Sequence, residues 1–129
     1  MIVDTSAIMA ILLDEPERQA FIEKMVDAER CAVSAGSWIE LAAVQVRGNR
    51  DYHAALDQLV ERLSLAIEPV STQQALLGHD AYREYGLGSG HAARLNFGDC
   101  FAYALAKATG EPLLFKGDDF AHTDVTAAA

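Results

Sequence analysis

Four short apolar runs, Met1–Asp4, Cys31–Ser34, Leu65–Val70 and Leu113–Phe115, are separated by stretches whose apolar residues recur at helical spacing. This alternation constrains the fold more than any other feature of the chain. Parallel strands cannot be joined by tight hairpins, so each pair needs a crossover, and the crossover is usually a helix. A strand that starts at residue 1 and is apolar on both faces suits the centre of a parallel sheet. The expectation is an α/β fold with a central parallel sheet of four to five strands and helices on both faces. The fifth strand would be an edge strand at Asp124–Thr126, with Ala127–Ala129 frayed beyond it. No linker, internal repeat or low-complexity block interrupts the pattern. The 129 residues suffice for one buried core, so 1–129 reads as a single domain.

The helical stretches follow from periodicity and capping signals. Ile8–Leu13 is a brief helical segment. A second helix opens at Pro16 and runs to about Ala28, with Ala20, Phe21, Met25 and Ala28 at helical spacing. The next contains Trp38–Val44 and ends near Arg47-Gly48. Asp51–Leu63 carries Ala55, Leu56, Leu59, Val60 and Leu63 on one face. Ser71 or Thr72 caps a helix reaching about Tyr85. These apolar faces read as core, with part of the first two available to a protein partner. Gly86–His91 is a flexible connection. Its Gly-x-Gly-x-Gly spacing is not a dinucleotide fingerprint, because it follows no strand. Cys100–Ala106 is apolar on every side and therefore belongs inside the molecule.

The net charge is −9, from 19 acids against 10 bases. That balance argues against a nucleic-acid binder that works by neutralising phosphates with lysine and arginine. A polyanionic substrate would need a bound divalent cation at the site, or a basic partner protein, to offset the repulsion. Cys31 and Cys100 lie far apart in apolar surroundings, as buried thiols of a reducing cytoplasm do. No apolar run approaches the roughly 20 residues of a membrane span, and Met1-Ile2-Val3-Asp4 lacks the basic flank of a leader. The expected location is the cytoplasm.

In an open parallel sheet, sites form beyond the carboxyl ends of the strands. Asp4 ends the first strand, and Asp118 and Asp119 follow the last. Asp99 heads the apolar helix, and Glu40 lies in the first turns of the helix after the second strand. Each acid also has a purely structural role open to it. Asp4 could cap the turn that follows it. Ser37-x-x-Glu40 could be a capping box, Asp99 could answer the helix dipole behind an Asn96 cap, and Asp118-Asp119 could be turn residues. Taken together those roles fare worse, because converging carboxylates raise each other's proton affinity. A cation removes that cost. Oxygen-only ligation suits Mg²⁺ or Mn²⁺, and two such ions about 3.5–4 Å apart can activate water and stabilise the leaving oxygen of a phosphodiester.

The order Val3-Asp4-Thr5-Ser6, then Glu40 within a helix, then Leu95-Asn96-Phe97-Gly98-Asp99-Cys100-Phe101-Ala102-Tyr103-Ala104-Leu105-Ala106, then Leu113–Phe120 resembles the VapC toxins. These are PIN-domain ribonucleases of bacterial toxin–antitoxin pairs, and the resemblance spans essentially the whole chain. It implies a Mg²⁺- or Mn²⁺-dependent endoribonuclease with Asp4, Glu40, Asp99 and Asp119 as metal-binding catalytic acids. Asp119 matches the fourth position better than Asp118, which would be a supporting residue, as would Ser6 beside the first aspartate. It further implies a homodimer restrained by a VapB antitoxin with a basic tail. Gly117 stands where many relatives carry Ser or Thr, and Ser89-Gly90-His91-Ala92 is less basic than that loop usually is. Arg83, Arg94 and Lys116 read either as phosphate contacts or as solvated charges, and His91 as an exposed loop residue or a general acid–base. Two other readings use the same acids differently. One is an aspartate-based phosphatase with Asp4 as nucleophile, although Ser6 stands where its second acid belongs. The other is a non-catalytic partner-binding module.

Overall fold

The structure, a computed structural model, describes all 129 residues. Its sheet has four strands, β1 (Ile2–Val3), β2 (Ala32–Ser34), β3 (Ala66–Glu68) and β4 (Leu113–Leu114), in the order β3-β2-β1-β4. Every pairing is parallel, with Ile2 facing both Ala32 and Leu113. Side chains alternate across a strand, so each two-residue step serves both layers. Val3, Val33 and Leu114 enter one core with Ile8, Phe21, Met25 and Leu41. Ile2, Ala32 and Leu113 enter the other with Leu95, Tyr103 and Leu105. The first layer is built by α1 (Thr5–Leu12), α2 (Arg18–Asp27), α3 (Ala35–Arg47) and α4 (His53–Leu63). The second is built by α5 (Thr72–Tyr85) and α6 (Asp99–Thr109). Helices thus cover both faces, and no helix is long and apolar enough to cross a membrane.

The sheet departs from the sequence reading at its edge. Asp124–Thr126 does not form a fifth strand. A single bridge joins Leu113 to Ala127, and Ala128 donates to the Leu113 carbonyl at 2.9 Å. The last residues are therefore docked rather than frayed. Tyr103 helps hold this segment, donating its hydroxyl to Asp124 at 2.6 Å, while Lys107 pairs with the other carboxylate oxygen at 3.0 Å. The third strand is also shorter than the apolar run, because Pro69 has no amide to continue the ladder and Val70 leads directly to the Ser71 cap of α5.

Two helix starts move as well. α1 begins at Thr5 rather than Ile8, because Asp4 caps it. α2 begins at Arg18, with Pro16 in the preceding turn rather than in the helix. α6 meets its expectation of burial. Of its apolar residues from Cys100 to Ala106 only Phe101 is half-exposed, and Gly110 ends the helix at φ +71°.

β1 lies between β2, reached through α1 and α2, and β4, which arrives from the far end of the chain. The strand order changes direction there, opening a crevice at the carboxyl ends of β1 and β4.

Candidate active site

Asp4 leaves β1 at that crevice and is 2 % exposed. One of its oxygens, Oδ2, accepts from the Ser6 amide at 2.9 Å and so caps α1. The other, Oδ1, is buried and has no partner. Burial is the chief reason its pKa rises to about 6; the Ser6 hydroxyl and amide pull it back, and the nearby Glu40 charge pushes it further. Ser6 has a second task. Its hydroxyl accepts from the Lys116 amide at 3.0 Å, which ties the start of α1 to the segment leaving β4.

Asp99 is 9 % exposed at the head of α6. Asn96 and Asp99 cap each other, Asn96 N–H to Asp99 Oδ2 at 2.9 Å and Asp99 N–H to Asn96 Oδ1 at 2.9 Å. This is the reciprocal logic of a capping box carried by shorter side chains. The local role and the place at the crevice therefore coexist, since the bond engages one oxygen and leaves Oδ1 free. Asp99 has a pKa of about 7. Burial raises it most, the Asn96 amide lowers it, and the charges of Asp4, Asp119 and Glu40 raise it again. All four acids named from the sequence therefore share one electrostatic neighbourhood.

Glu40 comes from α3, which follows β2 with no intervening loop. The proposed Ser37-x-x-Glu40 capping box does not form. Ser34 at the strand–helix junction is the cap instead, accepting from Gly36 N–H at 3.2 Å, and Ser37 sits one turn inside with a fully buried, unpartnered hydroxyl. Glu40 is thereby left uncommitted and half-buried. Its carboxylate lies against Gly98, where a methyl group would overlap it. Thr5, next to Asp4, donates to the Ser37 carbonyl at 3.3 Å and links α1 to α3 beside the site.

Asp119 opens a 3₁₀ turn, Asp119–His122, anchored by the buried Phe120 against Phe115. Asp118 is also exposed. Of the pair, Asp119 is the one whose charge raises Asp99. Gly117 holds φ +97°, a conformation a Ser or Thr would adopt only with strain, so its place in this turn has a backbone reason. Lys116 is engaged by Glu15 and by Glu17 (3.2 Å for the latter), which removes it as a ready phosphate contact. His91 packs edge-on against Tyr85 and accepts the Ala93 amide on Nδ1 at 3.0 Å, a structural role. Arg83 and Arg94 stay exposed.

No three of these acids stand close enough together in this structure to hold a metal ion. They come from four elements, and the charges of Asp4, Glu40 and Asp119 all reach Asp99. The donors are all oxygen, one of them an orphaned buried carboxylate oxygen, which is the chemistry a hard dication takes. Sequence reasoning missed Gly98, Gly36 and the Thr5 tie. The one visible signal was a glycine immediately before the first residue of a helix.

Comparison with known proteins identifies the lineage. The family model for the PIN domain matches residues 1–125. The chain is 48 % identical over 130 residues to the ribonuclease VapC28 of Mycobacterium tuberculosis, covering 99 % of this chain and 97 % of that protein. In structure it resembles VapC20 of the same species, described as a toxin that cleaves the sarcin–ricin loop. The TM-score is 0.70 at 19 % identity, covering 97 % of this chain and 95 % of that one. A toxin–antitoxin complex from Klebsiella pneumoniae matches with a TM-score of 0.69 at 18 % identity, covering 99 % and 97 % of the two chains. An identity of 48 % across nearly the whole length, on a shared fold, leaves one assignment: the chain belongs to the PIN-domain family, within its VapC group.

Proposed function

We propose that this chain is an endoribonuclease toxin that needs Mg²⁺ or Mn²⁺, slows growth by cutting RNA needed for translation, and is silenced by a VapB-type antitoxin in the bacterial cytoplasm. The observation that carries the reading is the pairing of Asp4 and Asp99. Two buried carboxyls with raised proton affinity lie within reach of each other's charge, and one has an oxygen with no partner. A fold does not retain such a pair for stability, because burying unpaired acids is costly.

When bound, a divalent cation activates water at neutral pH and offsets charge on the phosphodiester. The chain's own residues do the rest. The Ser6 amide engages Oδ2 of Asp4 and leaves Oδ1 without a protein partner, and the Asn96 amide likewise engages Oδ2 of Asp99. Glu40 closes the side formed by α3, and Asp119 stands at the exposed rim. The Ser6 hydroxyl bonded to the Lys116 amide keeps the β4 turn, and with it Asp119, at a set distance from Asp4. These four acids are the proposed catalytic and metal-binding set, with Ser6 and Asp118 in support. A phosphatase using Asp4 as nucleophile is disfavoured, because Ser6 is committed to this brace.

Two surfaces support the proposed partners. A groove of about 500 Å³ between α1, α2 and α4 is lined by Ile11, Leu12, Ile22, Leu59 and Leu63, with Arg18 and Arg62 at its border. We assign this apolar groove to the antitoxin, whose basic tail would reach the acids of the crevice rather than the arginines here. Between α5 and α6 an apolar groove runs past Ala75, Tyr82 and Phe101 to Phe97, which is 74 % exposed, and we assign this face to a second copy.

The test is cleavage of RNA by the purified chain with Mg²⁺ or with EDTA, beside Asp99→Asn. Cleavage confined to the unmodified chain with Mg²⁺ is the expected result. Equal cleavage by both proteins would overturn the assignment.

A further inference from the structure

We propose that Gly98 is a positioning residue for Glu40: the missing side chain at the head of α6 is what admits the Glu40 carboxylate to the site. The inference rests on the functional reading of Glu40 given above. Its basis is a mismatch between backbone and residue type. Gly98 has φ −62° and ψ −35°, the ordinary right-handed helical region, so nothing in its conformation calls for glycine. Alanine takes up that helical backbone as readily as glycine does. What sets glycine apart there is the side chain beside it, a flexible carboxylate that would have to move to make room. Gly98 is buried, and a Cβ built on it would overlap the Glu40 carboxylate.

A second contact of the same kind supports the first. On α3, one turn before Glu40, a Cβ at Gly36 would overlap the ring of Phe101, which lies one turn after Gly98 on α6. Each helix therefore presents a glycine to the larger residue of the other. The pair lets the two helix starts approach closely and in one register. Glu40 is a long side chain with several rotatable bonds, and it makes no hydrogen bond to hold it in place. Close packing against the Gly98 backbone limits where its carboxylate can go, and the positive end of α6 favours that place for a negative charge. A side chain on residue 98 would push the carboxylate out while leaving Asp99 and Asn96 where they are.

The experiment measures Mn²⁺ binding by calorimetry and thermal melting for the unmodified chain, Gly98→Ala, Glu40→Asp and the double variant. The expected result is that Gly98→Ala stays folded and binds Mn²⁺ roughly tenfold more weakly, the scale of a disturbed ligand support. In the Glu40→Asp background, where the carboxylate is drawn back by one methylene, adding Gly98→Ala should cost no further affinity. Should Gly98→Ala melt early, the same pair in a Glu40→Ala background gives the answer. There the alanine should leave the melting temperature unchanged, because the overlap is gone. Unchanged Mn²⁺ affinity in a folded Gly98→Ala, or an equal penalty from Gly98→Ala with and without Glu40, would overturn the inference while leaving the ribonuclease reading intact. Failure of the unmodified chain to bind Mn²⁺ would overturn both.

Discussion

Removing divalent cations and raising the pH from 5 to 8 should destabilise this protein, the reverse of what a paired carboxylate would do. Asp4 has an ordinary value of 3.8 when exposed and about 6 in the fold. The native state therefore binds more protons than the unfolded chain between these values. Stability tied to the neutral acid is fully present below pH 3.8, falls as pH rises, and is gone once pH passes the folded value. Over the whole span from below 3.8 to well above 6 that change corresponds to about 3 kcal/mol; about half of it falls between pH 5 and 8, which for a chain of this length lowers the melting temperature by roughly 5 °C. Asp99, at about 7, extends the loss toward neutrality. Glu111 and Asp124, whose pKa values are lowered by Arg30 and by Tyr103 respectively, contribute in the opposite sense. Their transitions fall at more acidic pH, so a series starting at pH 5 avoids them. The assay is urea or thermal unfolding in EDTA at each pH, for the unmodified chain and for Asp4→Asn, which keeps the cap on α1 without the charge. Asp4→Asn should be the more stable protein at pH 8, and its advantage should narrow by about half at pH 5. Saturating Mg²⁺ at pH 8 should recover the loss in the unmodified chain, because the ion binds only the folded state. Stability that is flat or rises from pH 5 to 8 in EDTA, with no gain from Asp4→Asn, would refute the reasoning.

Three further outcomes follow from the same geometry. Ser6→Ala should cost about 1–2 kcal/mol in urea unfolding, because the Lys116 amide loses its acceptor, and should slow cleavage by loosening Asp119 against Asp4. Asp119→Asn should reduce RNA cleavage sharply while Asp118→Asn leaves most of it, measured at one Mg²⁺ concentration; equal losses would contradict the distinction drawn from the Asp99 environment. Phe97→Glu should convert a dimer to a monomer in sedimentation, and an unchanged sedimentation coefficient would remove the α5–α6 groove as the dimer surface.

Much of this arrangement is legible in the residues alone, for reasons that are local. Ile2-Val3 and Leu113-Leu114 are too short to be anything but strand cores, and a parallel sheet sends Asp4 and Asp119 to the same edge. The apolar circumference of Cys100–Ala106 requires burial, which brings Asp99 inward with it. Other features depend on contacts between distant segments. Ser37 looked like the cap for Glu40, yet Ser34 holds that role because β2 passes into α3 without a loop. Ala127 and Ala128 carry no pattern of their own, and their docking depends on a free edge at Leu113. No pattern in the sequence marks the role of Gly36 or Gly98, because what distinguishes them is the contact with Phe101 and Glu40 from another helix.

The central claim is that Asp4, Glu40, Asp99 and Asp119 together hold a hard dication. Anomalous scattering from a crystal of the protein grown with Mn²⁺ tests it at the atoms concerned. The account predicts a peak within about 2–2.5 Å of Asp4 Oδ1 and a carboxylate oxygen of Asp99, lost in Asp99→Asn. A Mn²⁺ peak elsewhere on the surface, with the crevice between β1 and β4 holding none, would contradict it.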